Sequence, residues 1–144
     1  MTGGDRPMAR TPTVQEIAGI AKILRDEHRQ ILALFQLYLA AEADSRRPIV
    51  DQILQRLDEH FIMEEGLLGE GVRQQHNGAS VLQQVRLDHE EIQAMMCELR
   101  QAETDDDESM DEFFADMMQT VHVHFTVEER DLLPLLAQQT SQEQ

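Results

Sequence analysis

Tryptophan is absent from the chain, tyrosine and cysteine occur once each, and only four of the 144 residues are proline. An aromatic-rich β-sandwich is poorly served by that inventory. The single Cys97 cannot form an internal disulfide, which fits a reducing compartment. No apolar run has the length of a membrane span, and the first residues lack the basic-then-apolar order of a leader. The expectation is a cytoplasmic protein that does not cross a membrane. Basic residues are also scarce, 12 Lys and Arg against 28 Asp and Glu, for a net charge of −16. A field of that sign repels phosphate backbones and anionic lipid surfaces, which argues against nucleic-acid and membrane partners.

What is present favours helices around one core. Apolar residues make up 41% of the chain, enough for a single folded domain. Leu, Met, Gln and Glu are abundant, and such unbranched side chains lose little rotamer freedom in a helix. Residues 1–12, rich in Gly and Pro, are expected to be a flexible N-terminal segment, 13–136 the folded bundle and 137–144 a polar tail.

Four segments carry apolar or core-compatible residues in steps of three and four. The first, opened by a Thr13–Glu16 capping box, runs through Ile17, Ala21, Leu24, His28, Ile31, Phe35 and Tyr38. "ADSRRP" at 43–48 separates it from Val50, Ile53, Leu57, His60, Glu64 and Leu67. The Gly-rich "GLLGEG" at 66–71 closes the second segment, with a loop over 71–78. The third carries Leu82, Val85, His89, Ile92, Met96 and Leu99, and "TDDDES" at 104–109 breaks the pattern. A second capping box, Ser109 with Glu112, would open the fourth, which carries Phe114, Met117, Val121, His124, Glu128, Leu132 and Leu135, with Pro134 near its end. No stretch sustains a period of two. The predicted fold is all-α, an antiparallel up-down four-helix bundle.

The informative feature is what occupies the apolar seams: His28, His60, Glu64, His89, His124 and Glu128. A buried carboxylate without a partner is costly, and two are worse. Taken singly, His60 with Glu64 or His124 with Glu128 would be an ordinary i,i+4 surface pair. A lone core histidine needs no ligand. Their heights argue otherwise. His28 lies about 14 residues before the end of its helix and His60 about 12 after the start of the next, a mismatch of roughly 3 Å at helical rise. The second hairpin repeats this with His89 and His124. Two similar halves, His28 with His60-x-x-x-Glu64 and His89 with His124-x-x-x-Glu128, would meet in one slab of the core.

Four imidazoles and two carboxylates suit two non-haem metal ions, iron or manganese, with Glu64 and Glu128 bridging and two histidines on each ion. That arrangement leaves room for an oxo or hydroxo bridge and for an exogenous ligand. A mononuclear site and a metal-free polar core are the alternatives.

The "DEH" ending at His28, "DEHFIMEE" at 58–65, "LDHEE" at 87–91 and "HVHFTVEERDLLPLL" at 122–136 resemble the hemerythrin-like, or HHE cation-binding, family across essentially residues 14–136. Each motif is weak alone, whereas their order over four helices is specific. The resemblance implies a di-iron centre in a four-helix bundle. Hemerythrin proper has a further histidine ligand four residues after the third-helix histidine, where this chain has Gln93, and ends its last motif in Asp after a step of five, where this chain has Glu128 after four. Both departures speak against simple reversible oxygen carriage.

Among the remaining polar residues, His76 is read as a solvated loop residue and His122 as lying outside the centre. Glu65, Glu90, Glu91 and Glu129 are read as surface charges, Tyr38 as core, and Cys97 as no ligand. The expected function is binding or sensing of O₂ or a related diatomic, or of iron itself. One alternative is a peroxide-decomposing or oxidase-type enzyme, and another is a helical interaction bundle using the acidic segment 103–112. No appended output module is evident, so a sensor would act through a separate protein.

Overall fold

In the computed structural model, residues 14–67, 73–101 and 107–136 are described. They form four long helices: α1 (Val14–Ala40), α2 (Ala43–Leu67), α3 (Gly78–Gln101) and α4 (Asp107–Val127), the last running into a π-helical turn at Glu128–Leu132 and a final α-helical stretch at 133–136. No strand occurs among the described residues. The all-α four-helix bundle read from the seams is the observed fold. Thr13 and the segments 1–12 and 137–144 lie outside the described residues, so the first capping box and the two flanking segments are not placed.

Contacts run in opposite order along neighbouring helices, which sets the antiparallel arrangement. Tyr38, Gln30 and Glu27 of α1 meet Arg46, Arg56 and His60 of α2 respectively. Between α2 and α3, Asp58 pairs with Arg100, and Phe61 packs on His89. At one end of the bundle the Arg46 guanidinium donates to Asp111 at 2.7 Å and lies 4.9 Å over the Tyr38 ring, while the Tyr38 hydroxyl donates to Asp111 at 3.2 Å. Three helices are thereby tied together. Tyr38 is core, as expected.

Boundaries differ from the sequence reading at α4. Helix begins at Asp107, so Ser109, expected just before the helix, stands within its first turn. Between α2 and α3, Asn77 takes φ 64°, a left-handed conformation that Asn tolerates better than most residues, just before Gly78 opens α3. Gln75 of that turn donates from Nε2 to the Leu135 carbonyl at 2.8 Å, fastening the loop to the helical stretch at 133–136.

The core falls into two apolar clusters with the polar slab between them. One is built on Ile31, Phe35, Ile53, Leu57, Ile92, Met96, Phe114 and Val121, the other on Leu24, Leu82, Leu132 and Leu136. On α1, His28 sits between Leu24 and Ile31; on α3, His89 sits between Leu82 and Ile92. Burial of each such Leu, Ile or Phe contributes roughly 1.5–3 kcal/mol. The two clusters therefore clamp the slab from both sides.

Candidate metal centre

The helical period alone delivers the six seam residues to one level. His28, His60, Glu64, His89, His124 and Glu128 are all at most 4% exposed. The His28 and His60 rings lie 4.9 Å apart, and those of His89 and His124 lie 4.8 Å apart, in near-perpendicular pairs. The expected matching of heights in both hairpins is thus met.

Every imidazole turns Nε2 inward. His28 Nε2 is 3.2 Å and His60 Nε2 3.8 Å from Oε1 of Glu128. His124 Nε2 is 3.2 Å and His89 Nε2 3.5 Å from Oε2 of the same residue. Glu128 therefore offers one oxygen to each histidine pair. Glu64 Oε1 lies 2.6 Å from His60 Nε2 and 3.6 Å from His89 Nε2, between the same two halves. Ligand atoms from His28, His60, Glu64 and Glu128 all fall within 4.8 Å of one another, and those from Glu64, His89, His124 and Glu128 do the same. Two clusters share two carboxylates, each positioned to hold a metal ion.

Whether these residues fit metal ions is decided by hydrogen bonding. All four Nε2 atoms and all four oxygens of Glu64 and Glu128 are buried, and none has a hydrogen bond of acceptable geometry. Buried polar atoms are nearly always satisfied, so eight orphans converging on one small volume call for a partner that accepts lone pairs from all of them. Divalent ions do so, and they cancel the carboxylate charge as well.

The electrostatics point the same way. Burial opposes the charged form of His60, yet Glu128, Glu64 and Glu27 outweigh it and lift the pKa to about 10. At His89 burial is again outweighed, by Glu128 and Glu64, and the pKa is lifted to about 9. Burial alone would raise the pKa of Glu128; the Glu64 carboxyl and the imidazoles of His124, His28 and His60 hold it well below the usual carboxylate range. Without metal, protons provide the compensating charge.

Three residues that the sequence does not single out set the outward faces of the rings. His60 Nδ1 is bound to Glu27 at 2.6 Å, His28 Nδ1 to Glu129 at 2.8 Å, and His124 Nδ1 to Asp88 at 3.2 Å. A carboxylate accepting from Nδ1–H fixes the tautomer that leaves Nε2 free to ligate. Glu129, read as a surface charge, is instead partly buried against His28 and lies 3.8 Å from the Arg25 guanidinium. Glu65, Glu90 and Glu91 are exposed, as expected, and so are His76, His122, Gln93 and Cys97. The Phe that follows each of His60 and His124 packs on a histidine of another helix: Phe125 stacks on His28 at 3.9 Å and Phe61 lies 4.3 Å from His89.

The π-turn also went unforeseen. The Leu133 N–H donates to the Glu128 carbonyl, five residues back, so the turn holds one extra residue. Glu128, still in helical register with His124, points into the slab, while within the turn Glu129 reaches His28 and both Leu132 and Leu133 are buried. Pro134, which has no N–H to return to the preceding turn, follows directly. Its trace in the sequence is a second consecutive step of four, from 128 to 132, in an otherwise alternating pattern.

Among the described residues no helix is long and apolar enough to cross a membrane. No curated protein and no solved structure gives a significant match to the chain. A protein-family comparison does: residues 19–136 match the family described as the Hemerythrin HHE cation binding domain. With that match covering most of the sequence and two His/Glu clusters built at its core, the chain belongs to the hemerythrin HHE cation-binding family.

Proposed function

We propose that the protein is a non-haem di-iron protein that binds or senses O₂ or a related diatomic. His28, His60, Glu64 and Glu128 hold one iron; Glu64, His89, His124 and Glu128 hold the other, with both glutamates bridging. The observation that carries this reading is the convergence of eight orphaned ligand atoms. Nitrogen and carboxylate oxygen without thiolate suit iron, with manganese as the alternative occupant.

Four protein ligands per ion leave positions for a bridging oxygen and a small exogenous ligand. The chain's own residues shape that space. Phe61 and Phe125 wall it, and the apolar clusters on either side exclude water. No titratable side chain other than the ligands faces into it among the described residues, which favours a diatomic over a substrate that needs acid–base catalysis.

Admitting O₂ to the anaerobically prepared ferrous protein tests the proposal. Appearance of an oxo-bridged diferric charge-transfer spectrum, with antiferromagnetically coupled iron by Mössbauer spectroscopy, is the expected result. A spectrum of isolated mononuclear ferric iron would refute it.

A further inference from the structure

The two halves of the centre differ in how their histidines are held. His28 and His60 each have Nδ1 tied to a carboxylate, at 2.8 and 2.6 Å, and Phe125 is stacked flat on His28, with an interplanar angle of 9°. In the other half, His124 has a longer tie to Asp88, 3.2 Å. His89 has none: its Nε2 faces Glu64 and Glu128, whereas its Nδ1 meets no hydrogen-bond partner among the described residues, although the residue is only 4% exposed.

The structure provides an opening at that same ring. A cleft of about 420 Å³ lies between α2 and α3, lined by Glu65, Arg86, His89, Glu90 and Gln93. Close backbone approaches between α2 and α3 are sparser than between the other neighbouring helices of the bundle, among the described residues. His89 is thus the one centre residue that lines this surface cleft, and the ring with no outer tie is the ring beside the opening.

We infer that the ion held by Glu64, His89, His124 and Glu128 is the exchangeable one, and that it enters and leaves through the α2–α3 cleft as the His89 ring turns outward. This rests on the two-ion reading above. Releasing an ion from His28 or His60 requires a ring to break its carboxylate bond as well as its metal bond. Releasing one past His89 requires only the second. Outer partners of ligand histidines typically contribute a factor of about 10 to 100 in metal affinity, so the half with one unsupported ring is the weaker by that order. The Glu65 and Glu90 carboxylates and the Gln93 amide oxygen offer an arriving cation successive oxygen donors at the cleft, and Arg86 keeps it from becoming a permanent site.

Zinc, which is diamagnetic and redox-inert, makes the test direct. The full chain is loaded with two zinc ions, excess chelator is added, and release is followed by optical competition and by long-range ¹H–¹⁵N spectra of the histidine rings. One ion is expected to leave at least about tenfold faster than the other, freeing His89 and His124 while His28 and His60 remain ligated. Gln93→Trp, at an exposed position, fills the cleft and should slow the fast phase without changing the slow one. The double change Glu65→Gln with Glu90→Gln should slow uptake of the second ion only. Release of both ions in one phase, a fast phase that frees His28 and His60, or a Gln93→Trp protein of native helicity with an unchanged fast phase would each overturn the inference. Failure to bind two ions at all would instead remove the two-ion reading beneath it.

Discussion

Loading the centre with metal should expel protons, and their number follows from the site. With no ion bound, His60 and His89 have pKa values raised to about 10 and about 9 by the carboxylates they face. At about pH 7.5 both rings are then predominantly protonated. Imidazole ligates only in its neutral form, so filling both positions displaces about two protons from these rings. Loading should strengthen by about two orders of magnitude per pH unit up to about pH 9, by about one between 9 and 10, and level above that. Folding of the metal-free chain is linked with the opposite sign. Folded-state values above the ordinary 6.5 mean stabilisation that is fully present below about pH 6.5 and is lost as pH rises through 9 to 10. Metal-free protein should therefore melt progressively lower between pH 7 and 10, while the loaded protein stays nearly level. Calorimetric titration with zinc in buffers of different ionisation enthalpy counts the protons. A count near zero at pH 7.5 would refute the charge balance assigned to these rings.

The outer carboxylates and ring packing give further expectations. Glu27→Gln should weaken metal binding by about 10- to 100-fold through His60, measured by chelator competition; Glu59→Gln, one residue before His60 but exposed on the surface, should leave it unchanged. Glu129→Gln should act like Glu27→Gln through His28, and an unchanged affinity would return Glu129 to the status of a surface charge. Phe125→Ala removes a fully buried ring stacked on His28 and should cost about 3–5 kcal/mol in urea unfolding of the metal-free chain.

Much of this candidate centre was legible in sequence because one rule, the 3.6-residue helical period, fixes both the core and the direction of each candidate ligand. Ile31, Leu57, Ile92 and Val121 mark the seams, and His28, His60, His89 and His124 sit in the same registers. The outer carboxylates obey a different rule. Glu27 precedes His28 but supports His60; Asp88 precedes His89 but supports His124; Glu129 follows Glu128 but supports His28. Each acts across a helix–helix gap whose width depends on packing, and along its own helix each looks like a solvated charge. Glu59 shows the ambiguity: it stands in the same place relative to His60 and accepts only from Gln55 on its own helix. The π-turn was hidden for a similar reason. Helical propensity does not register one inserted residue, and only the doubled step of four before Leu132 marks it.

The central claim is that six residues form one two-ion cage, and iron stoichiometry after anaerobic reconstitution tests it most directly. Two irons per chain are predicted for the native sequence, with a loss of bound iron in both Glu64→Ala and Glu128→Ala, since each carboxylate serves both ions. A native protein that retains no iron, or two variants that each retain two, would contradict the account.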